Sequence, residues 1–497
     1  MTQSAVSLYD FQNELIARAV EAAKQGKKRF IIVLPTGAGK TVVAADIARR
    51  ANAKGSRIMF AVHRQELIQQ AQKTMTVAGL MTTSITAGKM TPIGSSRAQV
   101  ATVQTLVRRI EKLKKANRAP QTPPDIVFWD EAHHCAASTW KKCSTALREW
   151  NPRLVEIGLT ATPERTDGKG LADMFEAMVI GPDVATLIDN EFLAPFVVVG
   201  PLTKFSAIRA RLKHRAGDFD TKQQGEEVQS AGTVICGETV SLYQKHLDGK
   251  QAVFFGVDVA HSKRTAQTFR AAGITAEHID GTTRDFRRIA VIDGFRKGRI
   301  KVLCNCNIIG EGFDCPNAAG VIIARHSESI TYFLQAAGRA LRWQEGKVAK
   351  IIDQAGNFQH LGYPDDPRDW SLQGRGKVNK AEQHRRAIQN TRACRKCSVL
   401  FPRRFDKCPQ CGHPAVEPTE IVSVMSEEIA VVHSSRTPDA KSRKPSVSRG
   451  ILMSELWAAG GDKEKLRAIK EKYGYADGFE HVHAARWQDK HGGKNEV

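Results

Sequence analysis

An apolar run, residues 30–34, empties into Pro35-Thr36-Gly37-Ala38-Gly39-Lys40-Thr41, and an alanine-rich stretch follows to Arg50. Few strings of this length restrict a fold so tightly. The run is short and bounded, as a buried strand is. The glycines let the backbone wrap closely, and the helix behind them aims its unpaired N–H groups and dipole back into the turn. Strand, glycine turn and helix in that order predict an α/β fold with a mainly parallel sheet. They also predict a phosphate cradle, formed by Pro35, Thr36, Gly37, Ala38 and Gly39. Lys40 is expected to reach the β- and γ-phosphates of a nucleoside triphosphate, and the Thr41 hydroxyl to sit on Mg²⁺.

Downstream, a second apolar run (residues 126–129) ends in Asp130-Glu131-Ala132-His133. A carboxylate at a strand's carboxyl end can hold Mg²⁺, and its neighbour can polarise an attacking water. An isolated Asp-Glu pair is usually an acidic surface turn. Here it caps a buried strand downstream of a phosphate cradle, so Asp130 is read as the metal-holding acid and Glu131 as the base.

The cradle and the Asp-Glu-Ala-His string together resemble a superfamily 2 helicase of the DEAH/DExH type. One departure is Leu34, where the general P-loop pattern has glycine. The family's other motifs appear in order. Residues 8–12 resemble the segment whose glutamine reads adenine, which carries that role to Gln12. Residues 61–67 resemble motif Ia and residues 101–105 motif Ib, which implies nucleic-acid contacts for His63, Arg64, Thr102 and Gln104. Thr160-Ala161-Thr162-Pro163 matches motif III, which couples hydrolysis to movement, and His133 is implied as a coupling residue. Residues 253–255 with His261, and then residues 278–282, resemble motif IV and the signature after it. Residues 310–314 resemble motif V, which implies nucleotide contacts for Gly312 and Asp314. Residues 335–342 match motif VI, and Arg339 and Arg342 take its arginine-finger positions. A guanidinium suits that role, since its planar donor fork matches phosphate oxygens and stays charged. The resemblance implies two tandem RecA-like domains, with ATP in the cleft between them.

The forms of motifs V and VI look more like bacterial and phage DNA motors than like DEAH RNA helicases. Within the superfamily the chain most resembles RadD (YejH)-like DNA helicases of DNA repair. Composition agrees with a polyanionic partner: 74 Lys+Arg against 52 Asp+Glu give a net charge of +22 in 497 residues, and such an excess favours nucleic acid. DNA is favoured over RNA. No apolar run approaches the ~20 residues of a membrane span, and residues 1–10 lack a signal pattern. The protein is therefore expected to be cytoplasmic, with no membrane partner and with reduced thiols.

Strand and helix patterns alternate through residues 1–195, the expected ATP-binding domain, and again through 233–375, the helicase C-terminal domain. Residues 196–232 read as an interdomain connector. Its basic stretch suits either a nucleic-acid contact or a solvated helix. No internal sequence repeat is visible.

Cys394-x2-Cys397-x10-Cys408-x2-Cys411 predicts a four-thiolate Zn²⁺ site within a module at 376–414. Disulfides are the bland alternative and disfavoured in the cytoplasm; an iron–sulfur cluster is a further one. From Arg375 to Cys411 there are eleven Lys/Arg against two acids, with Phe401 and Phe405 among Arg403, Arg404 and Lys407. That mixture suits backbone charge contact plus base stacking, so Arg403 and Arg404 are expected to grip DNA. A structural zinc knob with solvated charges is the competing reading. Residues 415–450 read as a flexible linker and 451–497 as a small helical module. That tail is the expected docking point for single-strand-binding or recombination proteins.

Taken together, these features lead to the expectation of an ATP-dependent DNA helicase or translocase. An RNA helicase, a double-strand translocase of restriction type and a nucleic-acid-binding scaffold with a dead motor are the alternatives.

Overall fold

The computed structural model describes residues 8–374, apart from 89, 136, 165–169, 202–211, 216–217, 231–232 and 307–317. Beyond residue 374 it describes 391–393, 400–402, 413–414, 429–434 and parts of 462–468. The strands are β1 Arg29–Val33, β2 Ile58–Val62, β3 Thr83–Ile85, β4 Ala98–Thr102, β5 Ile126–Asp130, β6 Val155–Thr160, β7 Ala177–Ile180, β8 Phe196–Pro201, β9 His214–Arg215 and β10 Asp218–Phe219. They continue as β11 Ala252–Phe255, β12 Ala276–Ile279, β13 Val302–Asn305, β14 Gly320–Ile323, β15 Ala349–Asp353, β16 Thr391–Ala393, β17 Leu400–Pro402 and β18 Ile429–Ser434. The helices are α1 Asp10–Lys24, α2 Lys40–Ala53, α3 Glu66–Val77, α4 Val103–Lys115, α5 Ser138–Trp150 and α6 Val184–Asp189. They are followed by α7 Thr221–Ser230, α8 Thr233–Leu247, α9 Val259–Ala271, α10 Asp285–Arg296, α11 Ile330–Gly338 and α12 Phe358–Leu361.

Two seven-stranded sheets carry the fold. The first has the order β3-β4-β2-β5-β6-β1-β7 and the second β12-β13-β11-β14-β15-β8-β18. Among the described residues every strand pairing in the first sheet is parallel. In the second only β18 runs antiparallel, against β8. Parallel strands need crossovers that cover both faces, so their residues are apolar on both sides. Accordingly β2 and β4 are buried throughout, as are β11, β13 and β14. Side-chain caps start the crossover helices: Thr102 accepts from Thr105 N for α4, Asp258 from His261 N for α9, and Ser329 from Tyr332 N for α11.

The two orders superimpose term by term. β2 corresponds to β11, β3 to β12, β4 to β13, β5 to β14, β6 to β15 and β1 to β8. The expectation of an α/β fold with two parallel-sheet units holds. Its boundaries differ in three places. Residues 196–201, read as the start of a connector, form β8 inside the second sheet, because Phe196-Val197-Val198-Val199 is apolar enough to be buried there. Residues 370–372, read as the end of the second unit, return to the first. The carbonyl of Leu372 accepts from Leu171 N at 2.7 Å and Ala172 N at 2.9 Å, and Trp370 and Leu372 pack on the core below the first sheet. Residues 429–434, read as part of a linker, pair as β18 with β8.

Beyond β8, two described residues tie the connector to the second unit. Asp218 accepts from Arg325, Ser327 Oγ and Glu328 N, and Gln224 exchanges two hydrogen bonds with the backbone of His326. Among the described residues, no helix is long and apolar enough to cross a membrane.

Candidate nucleotide site and its coupling network

The residues predicted to cradle phosphate lie where β1 meets α2. Gly37 and Gly39 have φ of +91° and +92°, a region that side-chain-bearing residues avoid. Gly39 has a second reason to be glycine. A Cβ there would stand 2.5 Å from Nε2 of Gln12. Gln12 is 3% exposed; its Oε1 accepts from Tyr9 N and its Nε2 donates to Ala38 O. Gln12 therefore braces the loop itself. Beside it the rings of Tyr9, Phe11 and Phe192 cluster at 4.6–5.9 Å. Phe192 is a member that sequence reading missed, since nothing local marks it.

Lys40 begins α2 and donates to Leu34 O at 3.3 Å. Burial pulls its pKa below the ordinary lysine value. Glu131 and Asp130 pull it back up, while Arg339 and Arg342 add to the lowering. One ammonium thus feels both acids of the first unit and both arginines of the second. Asp130 closes β5, and Thr41 follows Lys40 at the helix start. A strand-end carboxylate and a helix-start hydroxyl are the donor types that fit Mg²⁺.

Glu131 is buried at 6% exposure and takes a left-handed backbone, φ +51° and ψ +56°. A non-glycine residue held there costs on the order of 1–3 kcal/mol, and such positions cluster at functional sites. The turn starts a short 3₁₀ segment, Ala132–His134, with His134 N donating to Glu131 O at 3.0 Å. His133 Nδ1 lies 3.2 Å from Thr160 Oγ1 and 3.6 Å from Glu131 Oε2. Thr160 Oγ1 donates to Thr162 O, and Thr162 Oγ1 to Thr331 Oγ1 at 3.0 Å. Thr331 Oγ1 in turn donates to Glu164 O at 3.2 Å. The chain of bonds leaves the first unit, reaches α11 of the second at Thr331 and returns to the first at Glu164.

Two further contacts close the same gap. Gln335 Nε2 donates to Glu131 Oε2 at 3.3 Å. A Cβ on Gly338 would stand 2.6 Å from Cβ of Thr36, so α11 lies directly on the cradle. Arg342 follows: a side chain at Gly37 would meet its Cγ at 3.7 Å, and Ala194 N donates to Leu341 O at 2.8 Å. Gln335 and Thr331 are members of the site that sequence reading did not single out. Gln335 heads the motif VI string, which was the available signal.

The expected nucleic-acid residues divide. His63 and Arg64 follow β2 and are half-buried, and Gln104 is exposed at the start of α4. Thr102 is 6% exposed and its hydroxyl is engaged as the α4 cap. Gly312, Asp314, Cys394, Cys397, Cys408, Cys411, Arg403 and Arg404 lie outside the described residues. Among the described residues no group of three or more His, Cys, Asp or Glu is arranged to hold a metal ion. Cys135, Cys143, Cys304 and Cys306 are buried free thiols.

Residues 5–165 match the family described as Type III restriction enzyme, res subunit, and residues 236–344 match the Helicase conserved C-terminal domain. The chain is 34% identical over 383 residues to a 51.5 kDa protein of Lactococcus phage (isolate 7-9), covering 77% of each. It is 30% identical over 376 residues to IRC3 of Saccharomyces cerevisiae, which its name proposes as an ATP-dependent helicase. That match covers 71% of this chain and 52% of the yeast protein, so the chain spans about half of that relative. A fragment assigned to the HsdR subunit of a type I restriction enzyme from Vibrio vulnificus YJ016 shares the fold. It has a TM-score of 0.54 and 23% identity, over 71% of this chain and 65% of that one.

Proposed function

The chain belongs to the superfamily 2 helicases, and from that membership we propose that it is an ATP-dependent motor on DNA, a helicase or translocase. The observation that carries this reading is the meeting of the two units at the cradle. Lys40 feels Glu131, Asp130, Arg339 and Arg342 together, and Gln335 reaches Glu131 from α11.

Each residue then has a task. Lys40 and the Gly37–Gly39 loop hold the β- and γ-phosphates. Asp130 and Thr41 would hold Mg²⁺, which when bound screens the charge on the phosphate oxygens. Glu131 orients the attacking water and takes its proton, and Gln335 fixes the direction of that carboxylate. Arg339 and Arg342 stabilise the charge that develops on the transferred group; a guanidinium in that role contributes roughly 10³–10⁵ in rate. His133, through Thr160, Thr162 and Thr331, passes the state of Glu131 to α11. Tyr9, Phe11 and Phe192 form an apolar wall suited to the base, with Gln12 bracing the loop beneath it. Gly312 and Asp314 take the second unit's share of the nucleotide. His63, Arg64 and Gln104 face the nucleic acid.

The proposal extends to the finer resemblance to RadD-like DNA helicases and to the cysteine module. β16 ends at Ala393 and β17 begins at Leu400, paired antiparallel. On this reading the four cysteines, two of which fall between these strands in the sequence, hold zinc, with Arg403 and Arg404 as the DNA grip. Metal analysis of the full-length protein tests this. One zinc per chain, lost when Cys394 and Cys397 are replaced by serine, is the expected result.

Measuring ATPase over single-stranded DNA, duplex, forked DNA and RNA tests the central reading. Stimulation by DNA above RNA is expected; equal basal rates with every ligand would sink it. A double-strand translocase is the second reading, favoured by the match of residues 5–165 to a restriction-enzyme subunit family. Displacement of a triplex-forming strand without unwinding of a fork would select it.

A further inference from the structure

Three histidine rings form a continuous row of tilted contacts from the end of β2 to the hydrolytic acid. His63 lies 5.4 Å from His134, ring centre to ring centre, and His134 lies 4.3 Å from His133. Trp140 of α5 backs the middle ring at 6.3 Å. His133 and His134 are carried by the 3₁₀ segment, in which residues three apart eclipse. The bond from His134 N to Glu131 O therefore sets His134 above the start of the same turn. At one end His133 points Nδ1 at Thr160 and Glu131. At the other end His63 adjoins Arg64, on the segment proposed to face nucleic acid.

We infer that His134 is a positioning residue that couples strand binding near His63 and Arg64 to the hydrolytic carboxylate of Glu131. The inference rests on the helicase reading and adds a route that the motif III bonds do not supply. Those bonds connect Glu131 to the second unit; the row of rings connects it to the nucleic-acid side of its own unit. Packed side chains transmit displacement because interiors have few voids to absorb it. A shift of the 63–64 segment therefore moves His134, and His134 turns the His133 ring. That ring aims Nδ1 at Thr160 and Glu131 together, so its rotation changes how the carboxylate is held. The contacts that carry this route are ring to ring, so a planar side chain is what it asks of position 134.

The test uses the full chain and three variants, His134→Ala, His134→Gln and His134→Phe. Basal and single-stranded-DNA-stimulated ATPase, the KM for ATP and the Kd for DNA are measured, with thermal unfolding as the folding control. Coupling between sites is typically worth a factor of roughly 5–150. Loss of about tenfold in stimulation is expected for Ala and Gln, with basal kcat, KM and Kd within about twofold. His134→Phe should recover most of the stimulation. If Ala fails to fold, the contrast between Gln and Phe carries the same decision. Full stimulation in Gln, or equal loss in Gln and Phe, overturns the inference while wild-type stimulation leaves the helicase reading intact. A wild-type protein that DNA does not stimulate overturns both.

Discussion

β1 and β8 hold the same place in two sheets of the same order. Both are apolar and buried, and both lie beside the strand that precedes a short polar turn. β1 runs into two glycines with positive φ and then α2. β8 runs into Pro201, and the sequence that follows it carries no Gly-x-Gly-Lys-Thr string. The second unit therefore has the sheet position of the first unit's phosphate cradle without the cradle's sequence. It presents α11 and its arginines to the other unit's cradle instead. Sheet order decides where a ligand can sit, and the loop sequence decides whether one does.

If that division is right, the largest effects come from removing one charge on each side. Lys40→Ala and Arg339→Ala should each lower DNA-stimulated ATPase by about 10³-fold, with DNA affinity retained. A variant of either kind with wild-type turnover would break the comparison. Thr331→Val should act on communication. It removes the bonds to Thr162 and Glu164, each worth about 1 kcal/mol. A fall of about tenfold in stimulated kcat, with KM for ATP unchanged, is expected.

Two glycines sharpen it further. Gly39 and Gly298 both have positive φ, +92° and +77°, but only Gly39 has a neighbour at the Cβ position. Alanine at Gly298 should cost about 1–2 kcal/mol in denaturant unfolding. Alanine at Gly39 should cost more than that and also lose ATP binding.

The smallest effect is in acid and belongs to the second unit. Burial holds His261 down to about 4, with Asp258 opposing and Arg264 adding; His246 is held at about 4, chiefly by burial. Both remain neutral in the fold below the ordinary histidine value of 6.5. Their contribution is present above that value and is lost as pH falls through about 4. The unfolding midpoint should drop between pH 6.5 and 4, and His261→Gln should drop less.

Much of this was legible from local pattern. The strand, glycine turn and helix at residues 30–50 are a local device, and so is the Asp130-Glu131 pair behind its strand. The parts that were not legible depend on distant partners. Phe196–Val199 looks like any apolar run, and only its pairing with β15 assigns it to the second sheet. Thr102 sits in a string that resembles a nucleic-acid motif, and only the structure adds that its hydroxyl caps α4. The left-handed backbone of Glu131 leaves no trace in composition. Nor does sequence spacing say that His63 and His134 touch.

The return of Trp370 and Leu372 to the first unit has a mechanical corollary. The backbone passes from the first unit to the second before β8, comes back at residues 370–372, and rejoins the second sheet as β18. A body tethered at one point can swivel in any direction. Each further crossing removes directions in which it can turn. The two halves are thereby laced together, as by a cord drawn through both edges, and not hung on a single thread.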